Sequence, residues 1–146
     1  MIAVIVFVLL TISYRNGVLP PNFEVSLEGD FIQLTQPPAE VALLLKNHCY
    51  NCHSAKASYP LKAHFAPFHQ KYLEPVKQGR EKLNFSTWSS YEPEMQKVLL
   101  LVAVEQMENH VMPKKDVFPK GSDTLSPPQE QLLIQWLAQE AEAGMN

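Results

Sequence analysis

The stretch that decides the reading of this chain is Val41-Ala42-Leu43-Leu44-Leu45-Lys46-Asn47-His48-Cys49-Tyr50-Asn51-Cys52-His53-Ser54. Val41, Leu44, Leu45 and His48 fall at i, i+3, i+4 and i+7, the spacing of one helix face. Directly behind them stands C-x-x-C-H, at residues 49–53. On a helical turn Cys49, Cys52 and His53 occupy i, i+3 and i+4 and share a face. Two thiols and an imidazole so spaced form the attachment signature of haem c. Each sulfur adds to one vinyl group of the porphyrin while Nε2 of His53 reaches the iron. The preceding helix delivers the motif onto a core.

Rival chemistries fit these residues less well. A thioredoxin-like C-x-x-C needs a βαβ context, and no such pattern surrounds it. A zinc site needs a second ligand pair, yet the chain has 2 cysteines in all. His64 and His69 supply no familiar zinc spacing. A disulfide across two intervening residues would close too short a loop to stabilise much.

The remaining composition bounds the context. A chain of 146 residues suits one domain, long enough to bury a core unaided. A net charge of −3 argues against a sequence-independent nucleic-acid binder, so no nucleic-acid partner is expected. Proline is frequent at 12 and glycine sparse at 5, which predicts stiff connections. Met1 to Leu10 is an unbroken apolar run that continues through Thr11 and Ile12. Thirteen residues of helix reach about 20 Å, short of the ~30 Å hydrocarbon core. No basic residue precedes the run and no Ala-x-Ala follows it, so we expect an export signal retained as a membrane anchor. A cleaved signal and a buried strand are the competing readings, and the missing basic flank leaves open a start further upstream.

From these signals the expected organisation is a signal or membrane anchor at 1–13, an extended connector at 14–38, and a haem-binding c-type domain at 39–146. The connector holds two Pro-Pro pairs, no helical period, and a candidate strand at Phe23–Leu27. Residues 54–68 read as loop, followed by a helix from Phe68 to Gly79 with Gly79 as its stop. A helix from Glu92 to His110 follows, with Ser89 to Glu92 as a capping box. Its run Val98–Val104 is apolar almost all round, which predicts the most buried element of the fold. The last helix takes Ser126 as N-cap, Pro127 at its first position and Gln129 at its third, and its face of Leu132, Leu133, Trp136, Leu137 and Ala141 ends before Gly144. The fold class is all-α: a small cytochrome c-like helical domain around one covalent haem, preceded by the hydrophobic segment.

The chain also resembles the small bacterial haem-binding domain family of monohaem c-type cytochromes, over about residues 41–138. The resemblance rests on Cys49 to Ser54, Tyr59-Pro60, Ala66-Pro67, Gly79-Arg80, Leu83-Asn84-Phe85-Ser86-Thr87-Trp88, Met112-Pro113, and Leu125-Ser126 with Trp136. It implies a periplasmic protein with covalent haem on an N-terminal anchor. One departure stands out. Members usually follow Met-Pro with a tyrosine-containing loop, whereas here Lys114-Lys115-Asp116-Val117-Phe118 follows, so the loop over the haem edge differs.

Met112 is the expected sixth ligand, chiefly on the resemblance, with Pro113 stiffening the backbone that presents its sulfur. His110 is the alternative, and Met107 is expected in the core. Trp88, Phe85, Tyr59 and Phe65 are expected to wall the haem, and Arg80 to pair with a propionate. His64 and His69 are expected at the surface or against a propionate. Residues 41–121 carry 11 basic and 7 acidic side chains, while both ends are acidic. Lys114, Lys115 and Lys120 therefore form a basic rim suited to an acidic redox partner. The expected function is single-electron transfer in the periplasm by a membrane-tethered monohaem cytochrome domain, not an enzyme on its own. The alternatives are a haem-based sensor or gas-binding module, and the haem subunit of a peroxidase-like enzyme with His110 as its distal acid–base group.

Overall fold

The computed structural model describes residues 1–15, 19–64, 68–114, 117–118 and 125–143, with backbone alone for 9–15. Among these residues there are helices and turns but no strand. The α-helices are α1 (Ile2–Arg15), α2 (Phe31–Thr35), α3 (Ala39–His48), α4 (Tyr50–His53), α5 (Gln70–Lys82), α6 (Pro93–Glu108) and α7 (Pro127–Ala143). Short 3₁₀ turns lie at Leu27–Gly29, Leu61–His64 and Phe85–Ser90. α6 packs along α7, and α7 crosses α3. The short α4 lies on α5, and α2 packs on the turn Phe85–Ser90.

The core forms where these faces meet. Leu45 of α3 and Leu133 of α7 are both fully buried, with Leu137 and Ala141 following at helical spacing. At its centre stands Phe31. Its ring stacks on Phe85 at 4.9 Å and meets Trp88 at 4.7 Å and Trp136 at 5.8 Å edge-on. Phe31 belongs to the stretch expected as an extended connector, so that stretch is partly a core element. Asp30 explains the local turn into helix: its Oδ1 accepts from the backbone N–H of Ile32 at 3.0 Å and caps α2. No strand forms at Phe23–Leu27.

Two further expectations change. Helix α5 does not stop at Gly79 but runs on to Lys82. Helix α6 is not the most buried element. It buries Leu100 and Met107, while Met95, Val98, Leu101 and Val102 face outward. An all-round apolar run carries no directional signal, and α7 covers only one side of it. Ser89 does not cap α6 either: Glu92 is the N-cap without a side-chain bond, and Gln96 Nε2 instead donates to the Trp88 and Tyr91 carbonyls at 3.1 and 3.0 Å.

The start of α7 follows the sequence closely. The backbone N–H and hydroxyl of Ser126 both donate to Gln129 Oε1 at 2.9 Å, with Pro127 opening the helix. At the other end of the chain, α1 exposes Ile2, Val4, Ile5, Val6, Phe7 and Val8. Its 14 residues reach about 21 Å, and among the described residues no helix is long and apolar enough to cross a membrane.

Removing the central ring should be costly. Phe31→Ala is expected to destabilise the fold by about 3–5 kcal/mol, read as a lowered urea midpoint at unchanged m-value. A loss below about 1 kcal/mol would mean that Phe31 is not the centre of the core.

Candidate haem-binding site

The site is built on a crossing of two helices. Cys49 caps the single turn α4, and the backbone N–H groups of Cys52 and His53 return to its carbonyl at 3.1 and 3.0 Å. That turn places Cys49 and Cys52 one helical step apart as free, half-buried thiols. Helix α5 passes over it at Gly79. A Cβ at that position would lie 2.5 Å from the Cys52 carbonyl oxygen, so only glycine permits the approach. Gly79 thus serves as the contact point between α5 and the motif, which is why it sits inside a helix.

Just beyond the crossing, the chain leaves α5 at Leu83 in an extended conformation, φ −155° and ψ 121°. The Leu83 carbonyl faces Nδ1 of His53 at 3.0 Å. A carbonyl only accepts, so Nδ1 carries the proton and Nε2 keeps its lone pair for a metal. Burial holds His53 below the usual histidine range, against the opposing pull of the Leu83 and Gly79 backbone contacts. A neutral imidazole with a fixed tautomer is the form that ligates iron.

The wall behind His53 is the next segment in sequence. Asn84 Oδ1 accepts from the Ser86 N–H at 3.1 Å, and Ser86 Oγ accepts from Ala55 N–H at 3.1 Å. These bonds close the turn and turn Phe85 inward, 6.1 Å from the His53 ring and 5.3 Å from Tyr50. Trp88 lies one layer further back, 6.4 Å from Phe85 and against Phe31. The Tyr50 hydroxyl donates to Asp30 Oδ1 at 2.9 Å and ties the motif to α2.

Arg80 is placed differently from the propionate partner expected of it. Its Nε donates to Ser54 O and Nη1 to Pro21 O, both at 2.7 Å, while Nη2 donates to Ala55 O and Asn22 Oδ1 at 3.1 and 3.2 Å. The guanidinium also lies over the Phe23 ring at 5.4 Å. Four of its five N–H groups are therefore engaged in clamping residues 21–23 onto the segment after the motif. Tyr59 joins the same seam, its hydroxyl donating to Pro20 O at 3.0 Å. Its ring faces Phe118 at 6.0 Å and His64 at 6.4 Å.

Met112 follows α6 in a tight reversal, with the N–H groups of Val111 and Met112 both returning to Gln106 O. Two residues on, the Lys114 charge pulls the Cys52 thiol downward, against burial. His110 turns the other way. It is held at φ 55°, its side chain is 78% exposed, and Nδ1 lies 3.3 Å from Glu130 of α7. Phe65, Lys115 and Lys120 lie outside the described residues.

The sequence pattern of the haem-binding domain family matches residues 5–139, nearly the whole chain. The chain belongs to that family. Comparison with curated proteins and with solved structures gave no match. The haem-binding domain so defined includes residues of the connector, in keeping with Phe31 at its centre. Its residues fit the group: two free thiols one turn apart, and an imidazole whose Nδ1–H is held by a carbonyl so that Nε2 is the unprotonated nitrogen. Sequence reasoning missed the Leu83 carbonyl, the Asp30–Tyr50 bond and the purpose of Gly79. None carries a side-chain signature except the Gly79-Arg80 pair.

The thiols make a pH-dependent prediction. Burial first, and then the neighbouring Cys52, push Cys49 up from 9.0 to about 12. Burial pushes Cys52 to about 11, with Lys114 and Arg80 pulling the other way. A raised folded-state value means stability that is complete below pH 9 and lost as pH climbs toward 11 to 12. The haem-free protein should therefore weaken steeply in that window. Thioether sulfurs do not titrate, so haem-attached protein should weaken less. Urea titrations of both forms across that pH range check this, and parallel losses would contradict it. Gly79→Ala should part α5 from α4 and cut haem incorporation at least tenfold, measured as haem per polypeptide. Full loading would show that the close approach is dispensable.

Proposed function

We propose that this haem-binding domain is a monohaem c-type cytochrome domain that moves single electrons in the periplasm. Haem c is attached through Cys49 and Cys52 and ligated by His53. The observation that carries the reading is the pairing of two free thiols on one helical turn with a histidine whose Nδ1–H is fixed by Leu83 O. Bound haem supplies one-electron exchange between ferric and ferrous iron. The chain's own contributions are ligand identity, an apolar wall led by Phe85, and a surface for docking. Met112 is the second axial ligand in this reading. Support for it over His110 comes from the backbone reversal at Gln106 and from the engagement of His110 with Glu130.

The exposed apolar face of α1 supports a tether to the membrane, and periplasmic maturation is where a c-type attachment would be made. Lys114 is exposed beside the proposed ligand loop, which supports docking to an acidic redox partner.

The decisive experiment is visible spectroscopy of loaded protein. Native ferrous protein is expected to be low-spin and to resist carbon monoxide. Met112→Ala should bind carbon monoxide readily and show a lower reduction potential, since a thioether favours ferrous iron. Native protein that takes carbon monoxide at once would support the sensor or peroxidase-like alternatives. Electron transfer to an acidic partner should slow several-fold as salt rises, and rates independent of ionic strength would remove the docking surface.

A further inference from the structure

The start of α5 holds a group of buried polar atoms with no use in the site described so far. His69, the N-cap of α5, is 6% exposed, and neither ring nitrogen has a hydrogen-bond partner among the described residues. Tyr72, one turn on, is fully buried, and its hydroxyl also has none. Its surroundings are apolar: Leu19, Ala63 and Val117, with the Phe118 ring at 5.4 Å. Leaving such a donor unpaired costs roughly tenfold or more in the folded-to-unfolded ratio, and native proteins rarely do so. Two adjacent cases on one helix point to a shared ligand.

The position of the pair says which ligand. Tyr72, Val76 and Gly79 fall at i, i+4 and i+7, one face of α5, and all three are buried. At the Gly79 end that face rests on the carbonyl of Cys52. Seven residues back, about 10 Å along the axis, it reaches Tyr72. A haem c has its thioether bonds on one side of the ring and its two propionates on the other. The breadth of a porphyrin matches that run of helix. Phe118 links this end of α5 to Tyr59, its ring 5.4 Å from Tyr72 and 6.0 Å from Tyr59.

We propose that His69 and Tyr72 are the donors that hold a haem propionate, through an imidazole N–H and the phenol O–H. The inference rests on covalent attachment at Cys49 and Cys52. It also assigns a propionate site away from Arg80, whose fork is engaged elsewhere.

Resonance Raman spectra of the haem-loaded protein test it through the propionate bending bands. Tyr72→Phe removes one oxygen and keeps the ring, and it should move one propionate band to lower frequency with the axial-ligand spectrum unchanged. His69→Leu should move the same band. Unshifted bands in both variants would overturn the inference, and so would a shift matched equally by a control such as Tyr91→Phe. A low-spin spectrum lost in His69→Leu would overturn it too, by making His69 an iron ligand. Wild-type protein that carries no covalent haem would overturn the parent reading along with this one, whereas unchanged bands in loaded protein overturn this inference alone.

Discussion

The hydrogen bond from His53 Nδ1–H to the Leu83 carbonyl is the constraint on which the site depends. It fixes one tautomer, leaves the Nε2 lone pair unprotonated, and joins the motif to a residue thirty positions later in the chain. Leu83 can accept there only because α5 ends in an extended residue. Helix α5 can lie close enough only because Gly79 has no Cβ against Cys52. The turn that follows then brings Phe85 beside the imidazole. One backbone carbonyl, one missing methyl and one aromatic ring therefore decide how the ligand is held.

Around that bond the polar groups divide into two sets. Asp30, Asn22 and Arg80 fasten the residues before α3 onto the motif and the segment behind it. Arg80 does this chiefly by giving its N–H groups to carbonyls, which leaves the buried His69 and Tyr72 as unanswered polar groups among the described residues. The charges of Lys114 and Arg80 favour the Cys52 thiolate but do not outweigh burial. The site accordingly presents protonated thiols and a neutral imidazole, held by geometry more than by electrostatic activation.

Much of this was legible in the sequence, and the pattern of success is physical. The helical turn at C-x-x-C-H forms as expected because the pattern is local: one turn contains Cys49, Cys52 and His53. The Ser126-Pro127-x-Gln129 start of α7 is local in the same way, and it forms as expected. Phe31 was not legible, because a five-residue helix between prolines has no period to detect, and its burial comes from Phe85, Trp88 and Trp136 far along the chain. Val98–Val104 misled for the opposite reason: its apolar run is real, but burial depends on neighbours, and α7 covers one side. Gly79 reads as a helix stop from its propensity alone, whereas a tertiary contact overrides that propensity. The fork of Arg80 suits a carboxylate by shape, yet in the fold it is engaged by the carbonyls of Ser54, Pro21 and Ala55.

The central claim is that Cys49 and Cys52 are haem attachment points and not merely a pair of free thiols. Acid–organic extraction of protein matured with the c-type machinery tests this most directly, followed by the intact mass of the denatured chain. The account predicts that the wild type keeps one haem through denaturation and extraction, and that Cys49→Ser/Cys52→Ser releases it. A wild-type chain recovered at its bare polypeptide mass, with all haem in the organic phase, would contradict it.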